Sequence, residues 1–597
     1  MARIEDYALL GNRRTAALVD TRGSIDWLCV PRFDSPAAFA ALVGDPDNGH
    51  WLLGPVDEAA TATRSYLDGS MALETTYETG DGVVRVVDAM TGDERRCDIV
   101  RRIEGVRGSV QVAHEWVVRF GYGKIRPWVH RVPDYCDYGC DEMIVAIAGP
   151  DRVTLRGPRL PRASDGAHVD EFEVHEGDVL IFETTYTLSH EPIPGPIDVS
   201  SRVRTSIDEA SRWIGHCEYD GPYAAAVRRS LITLHALTHA ETGGIIAAPT
   251  TSLPEQVGGA RNWDYRYCWL RDAALTLDAL LVAGFDEGAL AWRDWLIRAV
   301  AGDACDVQIM YTLDGSREIP ERTLDHLSGY EGSIPVRIGN AAVDQRQTDV
   351  LGEVLSALAM VRDEQLPPES AHSWQIQCAL VDELIATWEQ PDNGLWEIRG
   401  PRRRFTHSRV MVWVALDSAI SGVERHGLAA DVARWREVRD VVRDEILTHG
   451  FNAERGCFTQ HYDTTEVDAS LLLMAAVGFI DAHDPRYIAT VEAIERDLMR
   501  DRLLIRYRSA AGVDGLEGDE SPFLACSFWL VSAYARVGRV ADAHALMRHL
   551  ISLSNDVGLL SEEYDPRAGR MVGNFPQAFS HLALVKAAYD IDAADAS

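Results

Sequence analysis

The chain has 597 residues, with 58 lysines and arginines against 92 aspartates and glutamates, a formal net charge of -34. So negative a surface repels phosphate backbones and anionic lipid, which excludes nucleic acid and membranes as partners and leaves small neutral ligands open. With 46% hydrophobic and 25% charged residues the composition is that of a globular protein, and the length calls for two or three domains.

The opening MARIEDYALLGNRRTAALVD lacks the basic start and apolar run of a secretory signal. No stretch approaches the roughly 18 uninterrupted apolar residues of a spanning helix. The ten cysteines are scattered, and Cys136 and Cys140 have no second pair to complete a zinc set. A cytoplasmic protein with reduced thiols, no metal and no cofactor is expected. Monomer and homo-oligomer both remain open.

In chain order, residues 1–205 read as β structure. TAALVDTRGSIDWLCV is two apolar runs about a turn, and GSVQVAHEWVVRFGYG and HVDEFEVHEGDVLIFETTYTL alternate with period two. Many such runs between Gly, Pro and Asp predict an antiparallel β-sandwich. A linker helix is expected over 206–220. Residues 221–597 then show about twelve helical periods, beginning near Tyr223, Tyr265, Glu287, Val343, Ala371, Thr406, Leu428, Val467, Arg486, Pro522, Ala541 and Pro576.

Their connections alternate. Short ones fall at 284–287, 363–371, 424–428, 482–486 and 538–541; long ones at 241–264, 302–342, 391–405, 449–466, 500–521 and 555–575. Helices joined by short turns are antiparallel neighbours, so alternate connections lie at opposite ends and all six long loops gather at one end. Six hairpins with one built-up mouth describe an (α/α)6 barrel; an open solenoid is the weaker alternative, since no fixed-period repeat is visible.

The long loops carry the chemistry. Between 261 and 272 stand Arg261, Trp263, Asp264, Tyr265, Arg266, Tyr267, Trp269, Arg271 and Asp272. Flat rings stack on pyranose faces and charged forks grip vicinal hydroxyls, so this segment suits a sugar site. A helix start with packed aromatics and surface charges is the plainer alternative. DNGLWEIRG places Glu397 beside Trp396, where desolvation raises a carboxyl's pKa as a general acid requires. GLLSEEYDPRAGRMVGNFPQAFSH carries Glu562 and Glu563. Hairpins three and six of a six-hairpin ring face each other, so Glu397 and Glu562 approach from opposed sides. Inverting glycosidases need carboxyls roughly 6.5–9.5 Å apart. Tyr330, Glu331, Arg337, Gln345 and Glu517 are further candidate contacts, each equally readable as a cap or ion pair. Arg32 and Asp34 in the PRFDSPAAF turn are a lesser rim candidate.

RNWDYRYCWLRDA, YEGSIPVRIGNAAVDQ, GLWEIRG, CSFWLVSAYARVG and LLSEEYDPRAGRMVGNFPQAFSHL resemble, in order and over nearly the whole chain, glycoside hydrolase family 15. That family includes glucoamylases, glucodextranases, isomaltose glucohydrolases and prokaryotic trehalases. IEDYALLGNRRTAALVDTRGSIDWLCVPRFDSPAAF resembles the N-terminal β-domain of its trehalase-like members. The resemblance implies a β-sandwich joined to an (α/α)6 barrel. It places the general acid on Glu397 and the general base on Glu562. It puts the grip on the terminal glucose on Arg271–Asp272, and pocket aromatics on Tyr265 and Trp269. The acidic residue that commonly follows the acid in starch-cleaving fungal members is Ile398 here. The implied reaction is exo-acting, inverting hydrolysis of a small α-glucoside to β-glucose. Trehalose is the first expectation, with isomaltose and malto-oligosaccharides as alternatives. A disaccharide phosphorylase and a non-catalytic sugar-binding protein are the competing classes.

Overall fold

The computed structural model describes residues 2–596 apart from 68, 94, 135–140, 365–369, 510, 511, 513 and 516–519. Cys136, Cys140 and Glu517 therefore lie outside the described residues. The N-terminal part is two antiparallel sheets that share one long strand, Arg96–Val117. The first half of this strand pairs with Gly82–Asp93 and Val179–Leu188; the second half pairs with His50–Pro55 and Ala167–His175. The crossing occurs at Gly105–Gly108. Gly108 has φ +62°, and a Cβ at Gly105 would meet the His175 carbonyl oxygen at 1.9 Å, so only glycine fits there. Trp27, Trp51 and Trp116 fill the core between the sheets and the barrel.

The rest is helical. A linker helix, α1 (Val199–Ile214), leads into α2 (Ala224–Ala236), α3 (Leu270–Val282), α4 (Asp286–Val300), α5 (Asp349–Asp363), α6 (Ala371–Thr387) and α7 (Thr406–His426). Then come α8 (Val432–Glu445), α9 (Leu473–Ala476), α10 (Pro485–Leu498), α11 (Leu524–Arg536), α12 (Val540–Ile551) and α13 (Ala578–Asp595). From α3 onward the odd-numbered helices form an inner ring: α3 packs on α5, α5 on α7, α11 on α13 and α13 on α3, with α9 and the turn before it between α7 and α11. Even-numbered helices lie outside. The sequence pattern explains which is which. In α11 eleven of thirteen residues are buried, whereas α12 buries only Ala543, Leu546, Met547 and Leu550, the single stripe of an outer helix.

Each inner helix follows a long connection, so six inner N-termini point to one mouth. Three boundaries differ from expectation. The linker helix starts at Val199 rather than 206, because Asp198 caps it by accepting from Ser201 N. The helix expected from Val467 shrinks to α9 after a 3-10 turn, and Gly478 at φ +76° turns the chain away. The segment before α3 is extended instead of helical: Asn262–Asp264 pairs with Thr251–Pro254, and Cys268–Trp269 with Met310–Tyr311.

The sandwich grips the mouth. Trp27 Nε1 donates to Pro249 O at 2.8 Å, Asn555 Nδ2 to Tyr7 O at 2.8 Å and Tyr330 Oη to Ala2 O at 3.1 Å. Arg32 of the PRFDSP turn pairs with Asp34 and reaches Asp314 of the second long loop at 2.8 Å. At the centre Arg266, fully buried, donates from Nε and Nη2 to both oxygens of buried Asp264, at 2.8 and 2.7 Å. Its Nη1 donates to Ser35 O of the sandwich at 2.9 Å, while Asp264 Oδ2 also accepts from Gly339 N at 3.0 Å. Replacing Arg266 with Met strands a buried carboxylate, so a loss of about 3–5 kcal/mol in denaturant-measured stability is expected. The double variant Arg266→Met/Asp264→Leu should recover part of it; no recovery would mean the two groups do not act as a pair.

Candidate active site

Four of the six long loops line one cavity of about 710 Å³ at the mouth. The first supplies Ala247, Glu255, Arg261, Trp263, Tyr265, Trp269, Arg271 and Asp272; the third supplies Leu395 to Arg399; the fifth supplies Arg506, Tyr507 and Asp514; the sixth supplies Gln577 and, at the start of α13, Phe579.

The loop that carries Glu397 is held from several sides. Arg271 Nη1 donates to Leu395 O at 2.7 Å, Gln345 Nε2 to Glu397 O at 3.0 Å and Asn393 Nδ2 to Ile398 O at 2.8 Å. Trp396 Nε1 donates to Asp468 at 2.9 Å from the fourth loop, and its ring rests on Phe523 and Trp529. Ile398 packs with Phe405 and Tyr507. Within this frame Glu397 itself has φ +56°, a left-handed backbone that a non-glycine residue adopts only under constraint. Its carboxylate accepts from Trp269 Nε1 at 2.6 Å and stands 3.9 Å from Arg271. Burial pushes the Glu397 pKa up, while Arg271 and the Trp269 hydrogen bond pull it down; burial prevails.

Glu562 is fully buried behind the opposite wall. Its Oε2 accepts from Asn574 N at 3.1 Å, whereas Oε1 has no partner of regular geometry among the described residues. Burial, then the charge of Glu255, raises its pKa to about 8, with Arg506 and the Tyr265 hydroxyl opposing. Tyr265 and Trp269 meet edge to face at 5.3 Å, and Trp269 touches Glu397 while Tyr265 faces Glu562, so one aromatic pair spans the two carboxyls.

Around Glu562 lies a buried ionic cluster. Arg506 Nη2 stands 3.1 Å from Glu255 and 3.3 Å from Glu563, and also contacts Glu520. Arg261 pairs with Asp514 at 2.7 Å and Glu520 at 3.4 Å. Glu563 is raised by burial first and Glu255 second, well above the usual range. Glu255, Glu562 and Glu563 bring one oxygen each within 4.8 Å of one another, a donor set that hard cations use. Arg506 already supplies the balancing positive charge at two of those carboxylates.

A sequence model of the family described as "Glycosyl hydrolases family 15" matches residues 221–589. The chain belongs to that family. A second model, "Trehalase-like, N-terminal", matches residues 1–142. A trehalase of Mycobacterium tuberculosis is 37% identical over 98% of this chain and 89% of that protein. A trehalase of Thermoplasma volcanium is 31% identical over 99% of this chain and 94% of that protein. A bacterial glucoamylase crystallised with acarbose shares the fold, with a TM-score of 0.71 over 99% of this chain and 94% of that one at 13% identity.

As a family 15 glycosidase the chain sorts its sequence candidates into two sets. Trp263, Tyr265, Trp269, Arg271, Asp272, Trp396 and Glu397 line the cavity, with Glu562 behind it. Tyr330 and Glu331 instead receive Arg570, at 3.0 and 2.7 Å, and clamp the N-terminal segment. Arg337 stands outside the cavity with its guanidinium 4.5 Å from the Trp263 ring. Asp264 and Arg266 are the buried rivet described above. Glu255, Arg399, Arg506, Tyr507, Asp514, Gln577 and Phe579 line the cavity without having stood out in the sequence. Gln577 and Phe579 belong to the NFPQAF run next to the Glu562 motif, which is the one signal that pointed toward them.

Because the Trp269 N–H stabilises the ionised form of Glu397, Trp269→Phe should move the Glu397 titration to higher pH. Carboxyl ¹³C NMR of glutamate-labelled protein, assigned against Glu397→Gln, reads this directly; an unmoved titration would show that the indole does not hold the carboxylate.

Proposed function

We propose that this glycosidase hydrolyses α,α-trehalose with inversion, Glu397 acting as general acid and Glu562 as general base. The observation that carries the reading is the pair of buried carboxyls on the third and sixth loops, joined across the cavity by Trp269 and Tyr265. The full-length relatives named trehalase support the substrate. In this reading the cavity is the catalytic site of residues 221–597, with residues 1–205 as the scaffold that shapes its rim. The free thiols of the eight described cysteines support a cytoplasmic setting.

The chemistry follows from the environments. Glu397, whose proton-bearing form burial favours, donates to the glycosidic oxygen as the bond to the anomeric carbon breaks. Arg271, bound to Asp272 at 2.8 Å, and Asp272 itself grip the hydroxyls of the terminal ring, beside Phe579. A water on Glu562 Oε1 loses its proton to the carboxylate and attacks from the opposite face. Glu563, the more strongly raised of the adjacent pair, keeps its proton the longer, so Glu562 is the first of the two to ionise and serve as base. A second carboxyl placed to act as base favours hydrolysis over phosphorolysis, in which phosphate takes the place of water.

Early-time ¹H NMR of trehalose hydrolysis should show α- and β-glucose in equal amounts, one ring inverted and the leaving ring still α. Production of α-glucose alone would sink the assignment. Glu397→Gln and Glu562→Gln should each lower kcat by roughly 10²- to 10⁴-fold with unchanged circular dichroism. Glu255→Gln removes the charge that most raises Glu562 after burial. The base then stays ionised to lower pH, so the acidic limb of kcat/KM should move down; an upward or absent shift would contradict the base role.

A further inference from the structure

Trp263 forms part of the cavity wall in an unusual setting. The Arg399 guanidinium lies 4.1 Å from its ring centroid and that of Arg337 lies 4.5 Å away. Its Nε1 donates to Glu255 Oε1 at 3.2 Å, so the indole edge is fixed as well. Both guanidiniums are tied to one carboxylate outside the cavity. Glu321 accepts from Arg399 Nη2 at 3.0 Å and stands 3.7 Å from Arg337. Glu321 is in turn held by Ala341 N at 3.2 Å, and Arg337 by the carbonyls of Ala260 and Asn262. A surface ion pair alone would mean little. Here two guanidiniums from two loops converge on one indole and share one carboxylate, and two of the four groups, Trp263 and Arg399, face the cavity.

Arg399 also lies two residues beyond Glu397, close enough for its charge to act on that carboxyl. Ile398 between them is 1% exposed and turned into its own apolar cluster, so it offers a substrate nothing polar. Only the Nη2 hydrogen bond to Glu321 engages the Arg399 guanidinium among the described residues, leaving the other N–H groups of a donor-only fork beside the acid.

We infer that Arg399, aligned by Glu321 and braced on Trp263, recognises the leaving sugar and selects one joined through its anomeric carbon. This rests on the hydrolytic reading above and names what sets its specificity. When the leaving glucose is linked through C1, the atoms flanking the scissile oxygen are its O2 hydroxyl and its ring oxygen. The ring oxygen carries no hydrogen and can only accept. A leaving glucose linked through C4 presents two hydroxyl-bearing arms instead, each able to donate. A guanidinium that can only donate matches the first pattern and is not needed by the second. Arg399 is therefore the contact residue, and Glu321 is a positioning residue that acts through it.

The test compares kcat/KM of the full-length enzyme on trehalose, maltose and α-glucosyl fluoride. Trehalose and maltose both need the general acid and differ in the leaving ring, whereas the fluoride has no leaving ring. Arg399→Met is expected to lower trehalose hydrolysis roughly 10- to 100-fold, as for a lost charge-assisted hydrogen bond. Maltose and the fluoride should fall far less, so the trehalose-to-maltose ratio drops at least about tenfold. Arg399→Lys keeps the positive charge near Glu397 without the fork and should still lose the ratio. Glu321→Ala should lose it in part, chiefly through KM. Equal losses on all three substrates in the Arg399 variants would overturn the inference and leave Arg399 a tuner of Glu397. A wild-type enzyme that cleaves the fluoride and maltose but not trehalose would instead overturn the assignment of trehalose as substrate, on which the inference stands.

Discussion

The buried pair of Asp264 and Arg266 is the contact on which the geometry of the mouth depends. A two-pronged guanidinium–carboxylate bond out of water is stable only if the remaining donors and acceptors are also satisfied. Here they are, by Ser35 O from the sandwich and Gly339 N from the second long loop. Three separate pieces of chain therefore meet at one charge pair. Two residues before Asp264 and three after Arg266 lie Asn262 and Trp269, so the strand that presents Trp263, Tyr265 and Trp269 to the cavity is fixed along its length. The extended conformation of 262–269 follows from this. Alternation puts Asp264 and Arg266 inward to the rivet, and Trp263 and Tyr265 toward the cavity.

This also explains which parts of the site were legible. The alternation of short and long connections depends only on chain length and apolar period, and it located the mouth correctly, since every inner helix begins after a long loop. The motif residues at 269–272 and 396–397 are close in sequence and stay close in space. Tyr330, Glu331 and Arg337 share the composition of sugar-binding residues but sit on a loop whose task is to meet the sandwich and brace Trp263, and nothing local distinguishes those tasks. Arg506 and Glu255 were hidden for the opposite reason. Each is an ordinary charged residue in its own neighbourhood, and becomes special only because 251 residues of intervening chain fold them to 3.1 Å. Arg399 is an ordinary arginine within GLWEIRG, and nothing local separates a cavity-lining guanidinium from a surface one.

The two candidate catalytic carboxyls differ in burial, Glu397 lining the cavity and Glu562 fully enclosed, and also in the company they keep. Glu562 shares its site with Glu255, Glu520 and Glu563, against Arg506 and the nearby Arg261. Carboxylates outnumber guanidiniums, so the cluster must retain protons, and the question is where. The carboxyl most penalised by burial and by Glu255 is Glu563, whose Oε2 also receives Ser521 N. A proton shared by the adjacent pair therefore rests on Glu563 first, and Glu562 is the earlier of the two to ionise, as its proposed role as base needs.

Glu397 lies in the reverse arrangement. Its positive neighbour Arg271 is shared with Asp272, and beneath it stand Asp349 and Glu353, one turn apart on α5. Were these two ionised, they would absorb the field of Arg271 and nothing would remain for a substrate. Burial raises Asp349 to about 7 and Glu353 to about 8, so near neutrality Glu353 is mostly protonated and Asp349 in part, and the guanidinium is cancelled from below by less than two full charges. Among the described residues no other group gives either Asp349 oxygen a hydrogen bond of regular geometry, consistent with a group that does not anchor Arg271 directly. The acids beneath it therefore carry less than their full charge, and in the proposed roles Arg271 divides its field between Asp272, the ring hydroxyls and the carboxyl of Glu397. An arginine pulled fully onto Glu397 would keep that group ionised and useless as a proton donor; at 3.9 Å, with Leu395 O and Asp272 taking its shorter bonds, it orients the acid's loop without claiming the proton.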